Sequence, residues 1–166
     1  MEAVLGGETA NTIWDSNTVL SIPSVLLKEL SIRNMTNFSS ALNLSQNVEL
    51  ESLDTRGTKT GIITLPTSAP LTSIQLNSCT GIIAHNLNDV STFTMESGEN
   101  LVSVQVENCN SVFSNVLANY LVAAINAEQS VTRRLRAINV NWTFSSYEIL
   151  DKLATEWKGY NALGEE

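Results

Sequence analysis

A short spacing of apolar residues recurs along the chain: apolar, two residues, apolar, one residue, apolar. Its central residues stand at 30, 53, 74, 104 and 138, which leaves gaps of 23, 21, 30 and 34 residues. In each segment the last two apolar residues alternate with polar ones, which predicts a short strand with one buried face. The five segments are Leu27-Leu30-Ile32, Leu50-Leu53-Thr55, Leu71-Ile74-Leu76, Leu101-Val104-Val106 and Leu135-Ile138-Val140, with Thr55 as the weak member.

The first two gaps have the length of a leucine-rich repeat, roughly 20 to 29 residues. One such unit cannot bury its apolar face alone, so neighbouring units must stack and pair their strands in parallel. The sequence therefore predicts an α/β leucine-rich-repeat solenoid with one parallel sheet wall. We expect a single domain over residues 1–166, with the repeats over 27–144.

A further segment with the same spacing covers residues 90–95. Its central residue, Phe93, comes only 11 residues before Val104. Two strands cannot lie on one wall at that spacing without a full coil between them. The segment is either a strand on the opposite wall or the main strand of a shortened coil. The pattern leaves both interpretations open.

The remaining segments predict the two ends and an inserted helix. Helical spacing of apolar residues over 115–127 favours a helix between the strands at 104 and 138. Ser145 and Glu148 form a capping-box pattern that predicts a C-terminal capping helix over 145–158. Residues 1–26, with Ile13-Trp14 and a strand-like stretch ending at Pro23, are expected to form an N-terminal cap, and 159–166 a tail.

Composition and charge exclude several classes of function. The chain carries 17 acidic and 9 basic residues and a net charge of -8, which opposes binding to the phosphates of nucleic acid. No apolar run approaches the roughly 20 residues that span a bilayer, and the first residues lack the pattern of a signal peptide. We therefore expect a soluble chain without membrane insertion.

The two cysteines, Cys79 and Cys109, each stand three residues after the third apolar position of a unit. Leucine-rich repeats place Asn or Cys there, inside the coil. We therefore predict structural, buried thiols; a reactive or bridging pair is the less favoured alternative. No zinc-type spacing of Cys and His is present.

The sequence contains few of the residue patterns that catalysis requires. The only histidine, His85, lies between two units, and no nucleophile motif or phosphate-binding glycine loop accompanies it. Two loose groups of carboxylates, at 49–54 and 89–99, are more typical of solvated turns than of a glycosidase pair. We predict no catalytic residues, no metal and no cofactor.

The polar positions between the apolar ones are the more useful candidates. If all five strands share one wall, these positions form columns of Ser31, Asp54, Gln75, Gln105 and Asn139, flanked by Arg33, Arg56, Asn77, Glu107 and Asn141. Such a face is rich in paired donors and acceptors and suits a glycan or a hydrophilic protein surface. Ordinary solvated strand residues are the equally weighted alternative. The predicted binding residues are Asp54, Arg56, Gln75, Asn77, Gln105, Glu107, Asn139, Asn141 and, for ligand stacking, Trp142.

The strings LTSIQLNSC, LVSVQVENC and RLRAINVNW, followed by EILDKLATEWKGYNALGE, resemble leucine-rich-repeat segments of large proteins from gut bacteriophages and their bacterial hosts. The resemblance covers roughly residues 27–164. It implies a non-enzymatic structural or binding module of a virion or cell-surface structure. Its implied partners are virion components, host-surface proteins or glycans, and a homo-oligomer is compatible with it. The alternatives are a bacterial protein- or glycan-binding module and, from another class, a glycan-degrading enzyme.

Overall fold

The computed structural model describes residues 2–6, 19–127, 133–140 and 157–160. These residues form one sheet of ten parallel strands and one helix. The strands are Glu2–Gly6 (β1), Val19–Ser21 (β2), Glu29–Arg33 (β3), Ala41–Asn43 (β4), Ser52–Thr64 (β5), Ser73–His85 (β6), Thr92–Met95 (β7), Ser103–Glu107 (β8), Arg133–Ile138 (β9) and Trp157–Tyr160 (β10). The helix is Ser111–Asn126 (α1). No helix among the described residues is long and apolar enough to cross a bilayer.

From β1 to β8, each turn of the chain contributes a strand segment to each of two walls; after β8, helix α1 lies between the second-wall strands β8 and β9. The first wall contains β1, β3, the first parts of β5 and β6, and β7. The second wall contains β2, β4, the later parts of β5 and β6, β8, β9 and β10. This arrangement confirms the predicted solenoid with a parallel sheet, and it differs from the expectation of a single strand wall.

The strand register divides between two walls the apolar units that were predicted to share one wall. On the first wall Leu30, Leu53 and Ile74 stand side by side, and the next member is Phe93. Val104 lies on the second wall instead, beside Ile82. The 90–95 segment is therefore the main strand of a short coil, and the 104 strand is the one that faces it from the opposite wall.

The last unit is also displaced from its predicted register. Leu135, and not Ile138, pairs with Val104, whereas Ile138 pairs with Glu107 on the outward-facing row. Successive side chains of a strand point to opposite faces, so a shift of three residues exchanges inward and outward positions. The expectation that Ile138 is the central buried residue of this unit is wrong for that reason.

Two walls arise because the repeat spacing occurs twice in each coil from β5 to β8. On the second wall Thr60-Ile63-Leu65, Cys79-Ile82-Ala84 and Leu101-Val104-Val106 repeat the spacing that the first wall shows. The apolar side chains of both walls meet in one continuous core. Each full burial of such a side chain contributes roughly 1.5–3 kcal/mol, so every stacked coil adds its own increment of stability.

Helix α1 covers the last strand of the first wall. It begins at Ser111, four residues before the predicted start, because the side chain of Asn110 accepts a hydrogen bond from the Phe113 amide at 3.0 Å and caps the helix. The Phe113 ring stacks on Phe93 with 4.5 Å between ring centroids. The Tyr120 hydroxyl accepts a hydrogen bond from the Met95 amide at 2.9 Å. The helix thus closes the edge of β7, while the second wall continues into β9 and β10.

One corner of the solenoid is built from stacked asparagines. Asn86, Asn108 and Asn139 all have a left-handed backbone, with φ of 56°, 51° and 50°. Asn139 donates its side-chain amide to Asn108 at 3.0 Å, and Asn108 donates to Asn86 at 3.0 Å. Asparagine tolerates this conformation better than other residues with a side chain, so the ladder fixes where the second-wall strands end.

The predictions for the two ends fall mostly on residues outside the described part of the chain. Ile13-Trp14 and most of the expected capping helix 145–158 lie there, as do residues 161–166 of the expected tail 159–166. Trp157 and Lys158, the last two residues of that expected helix, begin strand β10 instead. At the other end β1 and β2 pair with β3 and β4, so the described residues of the expected N-terminal cap extend both walls by one strand.

Candidate functional site

The outward face of the first wall carries neighbouring rows of polar side chains. Ser31, Asp54, Gln75 and Thr94 stand side by side in the register of β3, β5, β6 and β7. Two residues further along the same strands come Arg33, Arg56, Asn77 and Glu96. The structure therefore brings together the predicted binding residues Asp54, Arg56, Gln75 and Asn77.

Asp54 joins two arginines on this face. Its Oδ2 accepts hydrogen bonds from Arg33 Nε at 2.7 Å and from Arg56 Nη2 at 2.7 Å, and a second Arg33 nitrogen also contacts it. The Asp54 side chain is only 11% exposed, whereas those of Arg33 and Arg56 are 49% and 44% exposed. The carboxylate thus fixes two guanidinium groups that remain open to solvent.

The ionisation of Asp54 follows from these contacts. Burial by itself raises the pKa of a carboxyl group, but the hydrogen bonds from Arg56 and Arg33 outweigh it and hold the pKa of Asp54 well below its usual range. A lowered folded-state pKa means that the contribution to stability is present above the unfolded-state pKa of about 3.9. It is lost as the pH falls through the folded-state value.

Replacing Asp54 by Asn therefore has a pH-dependent cost. At pH 7 we expect Asp54→Asn to lower the free energy of unfolding by about 1–2 kcal/mol, because the charged hydrogen bonds to the two arginines are lost. The loss stays this small because solvent screens the half-exposed arginines. Below pH 4 the difference from the parent chain should shrink. Urea titrations at pH 7 and pH 3 measure it, with exposed Asp89→Asn as the matched control. A difference that is constant with pH would contradict the charged pairing.

A shallow depression lies beside the paired arginines. It is lined by Arg33, Asn34, Arg56, Gly57 and Glu96. Glu96 also receives a short hydrogen bond from the Asn77 side chain, so the carboxylate is held at its edge. Gly57 has a φ of +72°, and a Cβ on it would meet the Asn34 side chain, so only glycine suits this corner. The depression offers both charges to a hydrophilic partner.

The other predicted binding residues lie elsewhere. Gln105 and Glu107 are on the outward face of the second wall, and Asn139 is in the asparagine ladder at its corner. Asn141 and Trp142 lie outside the described residues. The continuous face predicted from the sequence is wrong in this respect, since its members belong to two walls that face away from each other.

No protein-family model, curated protein or solved structure matched this chain.

Sequence reasoning missed two charged residues of the outward faces. Glu96 continues the row of Asn77 on the first wall, and Arg136 continues the row of Gln105 on the second. The signal for Glu96 was present, because the Val90-Phe93-Met95 spacing gives it the position that Asn77 holds after Ile74 and Leu76.

Both cysteines are buried and free. Burial raises the pKa of the Cys79 thiol to about 12 and also raises that of Cys109. Cys79 stands beside Thr60 where the chain enters the second wall, whereas Cys109 follows the second-wall strand β8. They therefore occupy different positions of the coil, although the sequence pattern around them is the same.

Glu51 and His85, two of the groups considered for catalysis, make surface ion-pair contacts. Glu51 forms an ion pair with Lys28 at 2.6 Å, and His85 Nδ1 lies 3.4 Å from Glu107 Oε2. Within the described ranges no group of three or more His, Cys, Asp or Glu side chains is arranged to hold a metal ion.

Proposed function

We propose that this chain is a non-enzymatic structural and binding module of leucine-rich-repeat type, carried by a bacteriophage virion or surface-structure protein. The apolar spacing, the coil steps of 19 to 27 residues on the first wall and the resemblance of the C-terminal strings support the repeat and virion parts of the proposal. The binding part rests on the outward face of the first wall.

The observation that carries the binding proposal is the pair of neighbouring arginines, Arg33 and Arg56, that Asp54 holds in place. Side chains that are already ordered lose little conformational entropy when a partner arrives. The sheet beneath them is rigid because each strand is paired and its inner face is packed in the core. A flat, polar and preorganised surface suits a glycan or a hydrophilic protein face.

The alternative function, a bacterial protein- or glycan-binding module, uses this same surface. The two proposals differ only in whether a phage protein or a bacterial protein carries the solenoid. In both, the first wall binds without turnover.

Blocking the first wall tests the proposal. Thr94 is an exposed residue in the row of Asp54 and Gln75, and Thr67 is an exposed residue in the turn between β5 and β6. We expect the chain to bind intact bacterial cells, their extracted polysaccharides or virion proteins saturably. Thr94→Arg should weaken that binding about tenfold or more, because the long side chain covers the row, and Thr67→Arg should leave it unchanged.

The same preparations decide the enzymatic alternative. Incubating the chain with the polysaccharide panel should release no new reducing ends. Release that depends on a carboxylate of the 49–54 or 89–99 group would overturn the non-enzymatic assignment.

In the binding experiment, equal binding by the Thr94→Arg and Thr67→Arg variants would remove the first wall as the binding surface.

A further inference from the structure

A second cluster of polar groups lies on the opposite side of the solenoid. A cleft in the outward face of the second wall is lined by Ser103, Val104, Gln105, Arg134 and Arg136, and we call it the arginine cleft. The strand register pairs Ser103 with Arg134 and Gln105 with Arg136, so the four polar side chains form two adjacent pairs. Neighbouring strands are about 4.8 Å apart, which places all four within reach of one small ligand group.

The donors of the arginine cleft are largely unused. Within the described part of the chain, the side chains of Ser103, Gln105 and Arg134 have no hydrogen-bond or ion-pair partner. Arg136 forms a long ion pair with Glu107, with 3.8 Å between its Nη1 and the Glu107 Oε2, which leaves N–H donors of the guanidinium group for a ligand. By contrast, the arginines of the first wall are held by Asp54.

The charge of the cleft differs from that of the whole chain. The chain has a net charge of -8, yet Arg134 and Arg136 stand together here, and Glu107 is the carboxylate that pairs with Arg136. Local positive charge in an acidic protein favours an anionic group at this spot, while the overall charge opposes a long, dense polyanion such as nucleic acid. A ligand with sparse negative charge fits both conditions.

The position of the strands determines how a ligand is held. β8 and β9 are interior strands, paired on both sides, so no free backbone edge is offered and a peptide cannot bind by adding a strand. Recognition must come from side chains. The guanidinium fork binds a carboxylate through two hydrogen bonds, and the Ser hydroxyl and Gln amide both donate to and accept from hydroxyl groups.

We propose that the arginine cleft binds an acidic saccharide, with the carboxylate of a uronic-acid residue at Arg134 and Arg136 and its hydroxyl groups at Ser103 and Gln105. This inference deepens the proposed binding function and rests on it. It concerns the second wall, so it is tested independently of the first.

The first test compares two saccharides on the unmodified full chain. Isothermal titration with oligogalacturonate should show saturable binding that weakens with added salt. The same oligosaccharide with its carboxyl groups reduced to alcohols should bind about tenfold more weakly or not at all, because the charge-assisted hydrogen bonds are gone. Equal binding of the two saccharides, or binding of neither, overturns the proposal.

The second test removes the arginines. The double variant Arg134→Gln/Arg136→Gln should bind oligogalacturonate at least about tenfold more weakly, while Lys28→Gln/Lys59→Gln loses the same charge elsewhere and should bind as the parent does. Unchanged binding by the arginine variant overturns the site. If poly-glutamate binds at these arginines and oligogalacturonate does not, the ligand is an acidic protein and the saccharide assignment fails. Thr94→Arg should leave uronate binding intact, which separates failure of this site from failure of the first-wall proposal.

Discussion

Replacing Ile63 by alanine should lower the free energy of unfolding by about 2–4 kcal/mol, whereas the same replacement at its neighbour Ile62 should cost less than about 1 kcal/mol. Ile63 is 1% exposed and stands between Leu42 and Ile82 in the core, while Ile62 is 39% exposed on the outward face of the second wall. The loss at Ile63 comes from the removed apolar contacts and from the cavity that rigid neighbours leave unfilled.

Urea denaturation of the two variants measures this difference and tests the second wall directly. The pair is matched, since the residue type, the substitution and the strand are the same and only the direction of the side chain differs. Equal losses at the two positions would mean that the later part of β5 does not form a half-buried strand, and the two-walled solenoid would then be wrong.

Replacing Asn110 by alanine should lower the free energy of unfolding by about 2–3 kcal/mol. Its side-chain oxygen caps α1, and its side-chain nitrogen donates to the carbonyls of Asn88 and Val90 at 2.9 and 2.8 Å. One residue thus fixes both the start of the helix and the loop that leads into β7. Removing it leaves the helix amide and two carbonyls without these partners.

Asn110→Asp separates the two roles of this residue. Aspartate retains the oxygen that caps the helix, but its second carboxylate oxygen faces the carbonyls of Asn88 and Val90 and cannot donate to them, so we expect it to recover less than about 1 kcal/mol of the loss. Exposed Asn119→Ala, in the middle of α1, is the control and should be neutral or slightly stabilising. Thermal melting of the three variants gives the order. An Asn110→Ala variant as stable as the control would show that neither contact matters.

Much of the candidate site could be predicted from the sequence wherever the spacing of the repeat units is regular. Asp54 and Gln75 hold the same position in successive units, and Arg56 and Asn77 follow two residues later, so their adjacency follows from stacking alone. The position of Gln105 did not follow, because its unit has the same spacing but lies on the other wall. The grouping of Gln105 with Arg136 depends on which strands pair, and pairing joins residues 31 positions apart.

The sequence by itself determined the kind of structure: short parallel strands with alternating burial, stacked in coils of about 20 residues, and a helix in the long gap before β9. These features depend on local spacing, which can be read along the chain. Only the tertiary structure decided that the coil has two strand walls, that Phe93 belongs with Ile74, and that Leu135 belongs with Val104. The reason is physical: both walls bury the same apolar spacing against one shared core, so the pattern is identical on each, and the register is fixed by non-local backbone hydrogen bonds and by the core volume that the side chains must fill.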